Sequence, residues 1–177
     1  IFDHITEKQL KWADMCEVYD RIVIGDRTYD FVKGVGNWTE KMISYFPEEE
    51  DAIRKYLDLV FDSSKAAKNF FVEKTLSPLW SKLFGWYLRR PYLKYSRQTT
   101  YEVLSKLTKN EELIKVLTGQ YGDYGLTPKK SSFAMHASLV RHYFSGGFFP
   151  IGGSSQIVET IAPVLEKNGS TILISAE

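Results

Sequence analysis

Three side chains in this 177-residue sequence are of types that do chemistry: His136, His142 and Tyr143. Histidine and tyrosine both serve as general acids, and the adjacent His142-Tyr143 pair can offer a proton to a substrate carbon. The two histidines stand six residues apart, so a single helix turns them to different faces. No acid or thiolate spacing accompanies them, and no metal site is read. Each is equally readable as a hydrogen-bonded packing residue. A second feature is Pro150-Ile151-Gly152-Gly153-Ser154-Ser155 ahead of a predicted helix. Glycines permit close backbone approach by a ligand, and a helix N-terminus offers free N–H groups. A strand-to-helix turn with a serine cap accounts for the same residues. Third, Tyr121, Tyr124, Phe133, Met135, Phe144, Phe148 and Phe149 can wall a slot for a long flat molecule that buries mostly apolar area. Some of these rings must instead be core.

The elements that position these groups follow from periodicity and breakers. Residues 21–24 and 28–32 are β-rich around Gly25-Asp26 and read as a hairpin. A short helix is expected over 38–45. Pro47 and the acids 48–51 then open a longer one, with Ile53, Tyr56, Leu57, Val60 and Phe61 at helical spacing as far as about Val72. Helices are expected over 100–107, 111–117 and 131–143, the last capped by Ser131 or Ser132. Residues 121–128 read as a Gly-rich turn and 146–153 as a Gly-rich strand and turn. A helix over 154–167 contains Pro163 and stops at Asn168-Gly169, and a strand follows over 171–175.

Net charge is +1, which favours no highly charged partner, and Cys16 is the single cysteine, which excludes an internal disulfide or a thiolate metal cluster. Aromatic residues make up 15% of the chain, enough for a substantial core with rings left over to line a pocket. No signal peptide or membrane-spanning run is visible. The chain begins without methionine and stops in an apolar run, so a fragment of a longer protein is expected. Asn37-Trp38-Thr39 and Asn168-Gly169-Ser170 match the glycosylation pattern, a short signal often met by chance.

Residues 74–101 stand apart. They carry Lys74, Lys82, Arg89, Arg90, Lys94 and Arg97 with no acid, interleaved with Trp80, Phe84, Trp86, Tyr87, Tyr92, Tyr95 and Tyr101. Pro78 and Pro91 are expected to break the stretch into short helices. It can lie in a membrane interface, form a solvated basic face, or bind single-stranded nucleic acid. The interface reading is preferred, and nucleic acid is set aside because the rest of the chain is not basic.

The segments Tyr121-Gly-Asp-Tyr-Gly-Leu-Thr-Pro128, Ser132-Phe-Ala-Met-His136, His142-Tyr143 and Gly146-Gly-Phe-Phe-Pro-Ile-Gly-Gly-Ser-Ser155 together resemble the FAD-dependent oxidoreductase family that holds carotenoid isomerases and phytoene desaturases. The resemblance extends to residues 5–12 and 45–49, and is weakest over 63–99. It implies an α/β protein: a helix-rich α+β substrate domain over 1–145, then a strand-turn-helix-strand over 146–177 returning to an FAD-binding domain. The family's N-terminal Gly-x-Gly-x-x-Gly fingerprint and its C-terminal FAD segment are absent from this chain. Gly34-Val35-Gly36 lacks the third glycine and opens no convincing long helix. The resemblance further implies FAD as cofactor, NAD(P)H as electron donor, a retinoid or carotenoid substrate, and association with the endoplasmic reticulum membrane. Pro150, Gly152, Gly153 and Ser154 would lie at the flavin. Tyr121, Tyr124, Phe133, His136, Phe148 and Phe149 would contact the polyene, and His142 and Tyr143 would supply the proton. Reduction of a double bond is the leading reaction; isomerisation or desaturation on the same scaffold, or non-catalytic lipid binding, are the alternatives.

Overall fold

The computed structural model describes residues 1–174. In chain order α1 (Phe2–Ile5) leads to β1 (Trp12–Asp14), β2 (Val18–Ile24) and β3 (Arg27–Val32). Next come α2 (Val35–Tyr45), a 3-10 turn (Pro47–Glu49), α3 (Glu50–Lys74) and α4 (Pro78–Ser96). After α5 (Thr100–Leu107) and α6 (Glu111–Leu117), a 3-10 segment (Gly119–Tyr124) precedes α7 (Phe133–Tyr143), β4 (Phe148–Pro150) and α8 (Ser155–Lys167). The fold is helix-rich, with two antiparallel two-stranded sheets, β1-β4 and β2-β3, among the described residues. It is compatible with the expected helix-rich α+β class. The chain divides into two compact units: Val18–Ser145, and Ile1–Glu17 with the residues from 146 onward.

In the larger unit, Gly25 at φ +58° occupies the first turn position of the β2-β3 hairpin, a conformation that glycine adopts without strain. Helix α3 starts as its sequence dictates. Pro47 opens the 3-10 turn before it, and Glu50 and Asp51 face the positive end of its dipole. Its stripe of Ile53, Tyr56, Leu57 and Val60 is buried at i, i+3, i+4 and i+7. This stripe shares one core with Trp38 and Met42 of α2 and with Phe133, Ala134, Ala137 and Val140 of α7. Each large apolar side chain buried here contributes about 1.5–3 kcal/mol. The helix starts are capped: Thr99 and Glu102 form a reciprocal capping box on α5, Asn110 caps α6, and Ser132 caps α7 through the Ala134 amide. Buried Thr100 and Ser131, with hydroxyls 2.9 Å apart, tie the start of α5 to the start of α7.

In the smaller unit, β1 and β4 pair with Ala13 opposite Phe149 and Asp14 opposite Phe148. Flanking bonds from Met15 N–H to Gly147 O and from Ile151 N–H to Lys11 O extend this ladder. That pairing is why residues 1–17 group with the C-terminal part of the chain. Gly169 at φ +76° ends α8 at the expected Asn168-Gly169 stop.

Two expectations are corrected. Pro91 does not break α4, which runs unbroken from Pro78 to Ser96. The proline removes one bond, to the carbonyl of Tyr87, a residue 73% exposed, so water can replace it. Residues 171–174 form no strand; they are exposed and meet no partner strand among the described residues, and a strand needs a ladder. Ser175, the last residue of that expected strand, lies outside the described residues.

Candidate functional site

Helices α3 and α7 and the 3-10 segment frame a groove of about 1030 Å³ in the larger unit. Phe61, Tyr124, Met135 and Leu139 give it an apolar wall. Lys65, Lys68 and Arg141 add positive charge, Asp62 and Asp123 negative charge, and His142 a titratable ring. The Arg141 guanidinium lies over the Phe61 ring, 5.0 Å from its centroid, which fixes both. The volume suits a drug-sized or longer organic molecule. Tyr124, Met135 and His142 are the sequence-predicted residues that the fold brings together here.

The two proton-transfer candidates on α7 differ sharply. His142 is exposed on the groove, edge-on to Tyr143. Tyr143 is half-buried: its ring stacks on Tyr19 at 5.4 Å, and its hydroxyl donates to Asp123 Oδ2 at 2.9 Å. Burial, then the Asp123 carboxylate, pushes the Tyr143 hydroxyl up to about 12, so it is a weak acid with its proton already engaged.

His136 and Phe133 were expected to touch substrate and do not line the groove. Phe133 is fully buried in the core. His136 is buried with Nε2 2.8 Å from the Tyr56 hydroxyl and Nδ1 3.2 Å from the Tyr124 hydroxyl. Two hydroxyl partners satisfy either neutral tautomer. Burial lowers its pKa to about 3, so the ring is neutral and structural. The physical cause is the phase of α7: residues 133, 136, 137 and 140 share the face turned to α3, whereas 135, 138, 139 and 142 share the groove face. Phe144 is core as well. Tyr121 is 46% exposed and outside the groove lining.

The cofactor candidates sit in the smaller unit, between β4 and α8. Gly152 and Gly153 adopt φ +92° and +99°, geometry that strains any residue with a Cβ. A Cβ on Gly152 would come within 2.9 Å of Gln156 Cγ, whereas the space at Gly153 is open. Ser154 precedes α8 without capping it through its side chain, so the helix N-terminus keeps donors for a ligand. Phe148 and Phe149 beside the turn are each 54% exposed. An open, Cβ-free turn at an uncapped helix start fits a flat cofactor pressed against backbone, so these residues fit a flavin. Nothing in the chain supplies the diphosphate fingerprint. Gly34 precedes the 11-residue α2, but that helix follows an antiparallel hairpin rather than a parallel βαβ strand. The described residues contain no cluster of acids, histidines and cysteines able to hold a metal.

Sequence reasoning missed the α3 side of the groove: Phe61, Ser64, Lys65 and Lys68. The signal was present. They form an i, i+3, i+4, i+7 row that continues beyond the buried stripe of the same helix.

The fold and groove define a helix-rich α+β chain with an open groove in its larger unit and a second, strand-turn-helix unit. No family model matches it. Over 184 aligned positions, covering 99% of this chain, it is 38% identical to all-trans-retinol 13,14-reductase of Homo sapiens and 36% identical to the protein of the same name from Macaca fascicularis. A Danio rerio protein named inactive all-trans-retinol 13,14-reductase is 30% identical over 98% of the chain. The chain spans about 30% of the length of these curated relatives. The resemblance read from the motifs is borne out: the chain is similar throughout to one segment of proteins that are reductases by name.

Proposed function

We propose that this chain is the substrate-binding part of an FAD-dependent oxidoreductase that reduces the 13,14 double bond of all-trans-retinol to 13,14-dihydroretinol. The observation that carries this is its similarity, over 99% of its length, to proteins named for that reaction. The groove supports it, since its apolar wall suits a polyene and its charged residues suit a single polar end. Bound FAD, reduced by NAD(P)H, would supply the hydride. Pro150, Gly152, Gly153 and Ser154 would hold the flavin, with Phe148 and Phe149 adding apolar surface beside the turn. Phe61, Tyr124, Met135 and Leu139 would hold the polyene and exclude water. His142, exposed on the groove, would give the proton to the second carbon. Tyr143, its proton committed to Asp123, would position rather than donate. Such a protein would work at the endoplasmic reticulum membrane, where retinol partitions.

The test uses the complete protein that carries this chain. Flavin absorbance is expected on purification, and anaerobic incubation with all-trans-retinol and a reductant is expected to give a product heavier by the mass of H2. An isobaric product would instead assign an isomerase on this scaffold. A second reading, a lipid-binding protein without catalysis, is favoured by the relative named inactive. A colourless complete protein that still binds retinol would establish that reading.

A further inference from the structure

Helix α4 exposes large apolar side chains that nothing in the larger unit covers. Leu79, Trp80, Leu83, Phe84, Trp86 and Tyr87 are each at least half exposed. They form two adjacent rows, 79-83-86 and 80-84-87, and therefore one continuous face. The first row continues without a break into Arg90, Lys94 and Arg97, so a single strip changes from apolar to cationic along the helix axis. At the change, Arg90 lies over the Trp86 ring at 5.3 Å, and Trp86, Arg90, Leu93, Lys94 and Arg97 line an open hollow of about 500 Å³ on the helix surface. None of the three cations pairs with a carboxylate among the described residues. The acids that flank this stretch in sequence are already engaged: Glu102 accepts the Thr99 N–H in the α5 capping box, and buried Glu73 is occupied by Lys74, Arg89 and Ser81.

We propose that this face of α4 docks on an anionic lipid surface, with Trp80, Leu83, Phe84 and Trp86 in the acyl boundary and Arg90, Lys94 and Arg97 on the headgroup phosphates. A polar partner would leave the aromatic rows uncovered, and a purely apolar partner would leave three cations unpaired. A membrane interface offers both chemistries in this order of depth, and it is where Trp and Tyr concentrate. No helix of the described residues is long and apolar enough to cross a membrane, so α4 lies along the surface. The Phe70–Tyr92 ring contact at 4.5 Å and the Glu73–Ser81 bond hold α4 on α3, so the face is presented ready-made. This assignment is independent of which reaction, if any, the protein performs.

The test is sedimentation of the full chain with vesicles of phosphatidylcholine alone or mixed with phosphatidylserine. Binding is expected to require phosphatidylserine and to weaken with salt. The triple variant Arg90→Gln, Lys94→Gln, Arg97→Gln is expected to bind roughly a hundredfold more weakly, from about fivefold per cation near a charged surface. Brominated acyl chains are expected to quench tryptophan emission in the native chain, and the quenching to vanish in Trp80→Phe/Trp86→Phe. Both variants should keep the native circular dichroism, since these side chains are exposed. Equal sedimentation with and without vesicles overturns the proposal. So does vesicle binding without quenching, or binding to single-stranded RNA with none to vesicles.

Discussion

The Tyr56 hydroxyl lies 2.8 Å from Nε2 of His136, with both side chains fully buried between α3 and α7. This contact turns a histidine that reads in the sequence as a substrate ligand into part of the core. Removing the hydroxyl in Tyr56→Phe leaves a buried ring nitrogen without its partner, a cost of about 1–3 kcal/mol. Urea unfolding should show a lower midpoint with an unchanged slope. An unchanged midpoint would mean that the bond contributes nothing.

The same burial makes stability depend on pH. His136 has a folded pKa lowered to about 3 from an ordinary 6.5, so in that window the unfolded chain binds a proton that the folded chain refuses. The contribution is complete above 6.5 and is lost progressively as pH falls toward 3, amounting to several kcal/mol on an order-of-magnitude basis. Denaturant melts across this range should be flatter for His136→Asn than for the native chain. Parallel pH profiles would contradict the assignment.

Gly85 on α4 faces Glu73 on α3, and a Cβ there would sit 2.7 Å from Glu73 Oε1. Alanine for glycine inside a helix ordinarily gains about 1 kcal/mol. Here the carboxylate must leave Ser81 to make room, so Gly85→Ala should melt no higher than the native chain. In a Glu73→Ala background the ordinary gain should reappear, and a double-mutant cycle measures the coupling. The Glu73 carboxyl is held below its ordinary range, chiefly by Ser81 and then by Lys74 and Arg89. Its support of the α3-α4 pair is therefore present above the usual carboxylate pKa and lost as pH falls through the lowered one.

On the proposed reaction, His142→Gln in the complete protein should lower retinol reduction by about 10²–10⁴, the range for losing a general acid. Tyr143→Phe should cost far less, because that hydroxyl is pushed up to about 12 and donates to Asp123. Anaerobic turnover of the two variants, measured side by side, decides between them. A larger loss for Tyr143→Phe would reverse the roles.

Gly152→Ala should lower flavin content per protein, since the new Cβ meets Gln156 and the backbone holds φ +92°. The strain is about 1–3 kcal/mol. Absorbance of the purified complete protein reads the occupancy, and full occupancy would detach this turn from cofactor binding.

Helix boundaries were legible where local chemistry sets them. Pro47 with its following acids, the Thr99–Glu102 capping box, Asn110, Ser132 and Gly169 each satisfy or stop a helix end by themselves, and the residue types announce it. The site was legible only in part. Tyr124, Met135 and His142 meet at the groove, but the motif containing them also contains Phe133 and His136, which point the other way.

The residues alone determined most helix starts, the hairpin, the acid-free aromatic stretch of α4 and the similarity to reductases, because these depend on neighbours in the chain. Tertiary packing decided which face of α7 meets α3. It thereby decided which histidine is buried neutral and which faces the groove, since one helical turn carries both faces and only a packed partner selects between them. Packing likewise left the aromatic row of α4 facing outward, where burial against α3 took up the opposite side.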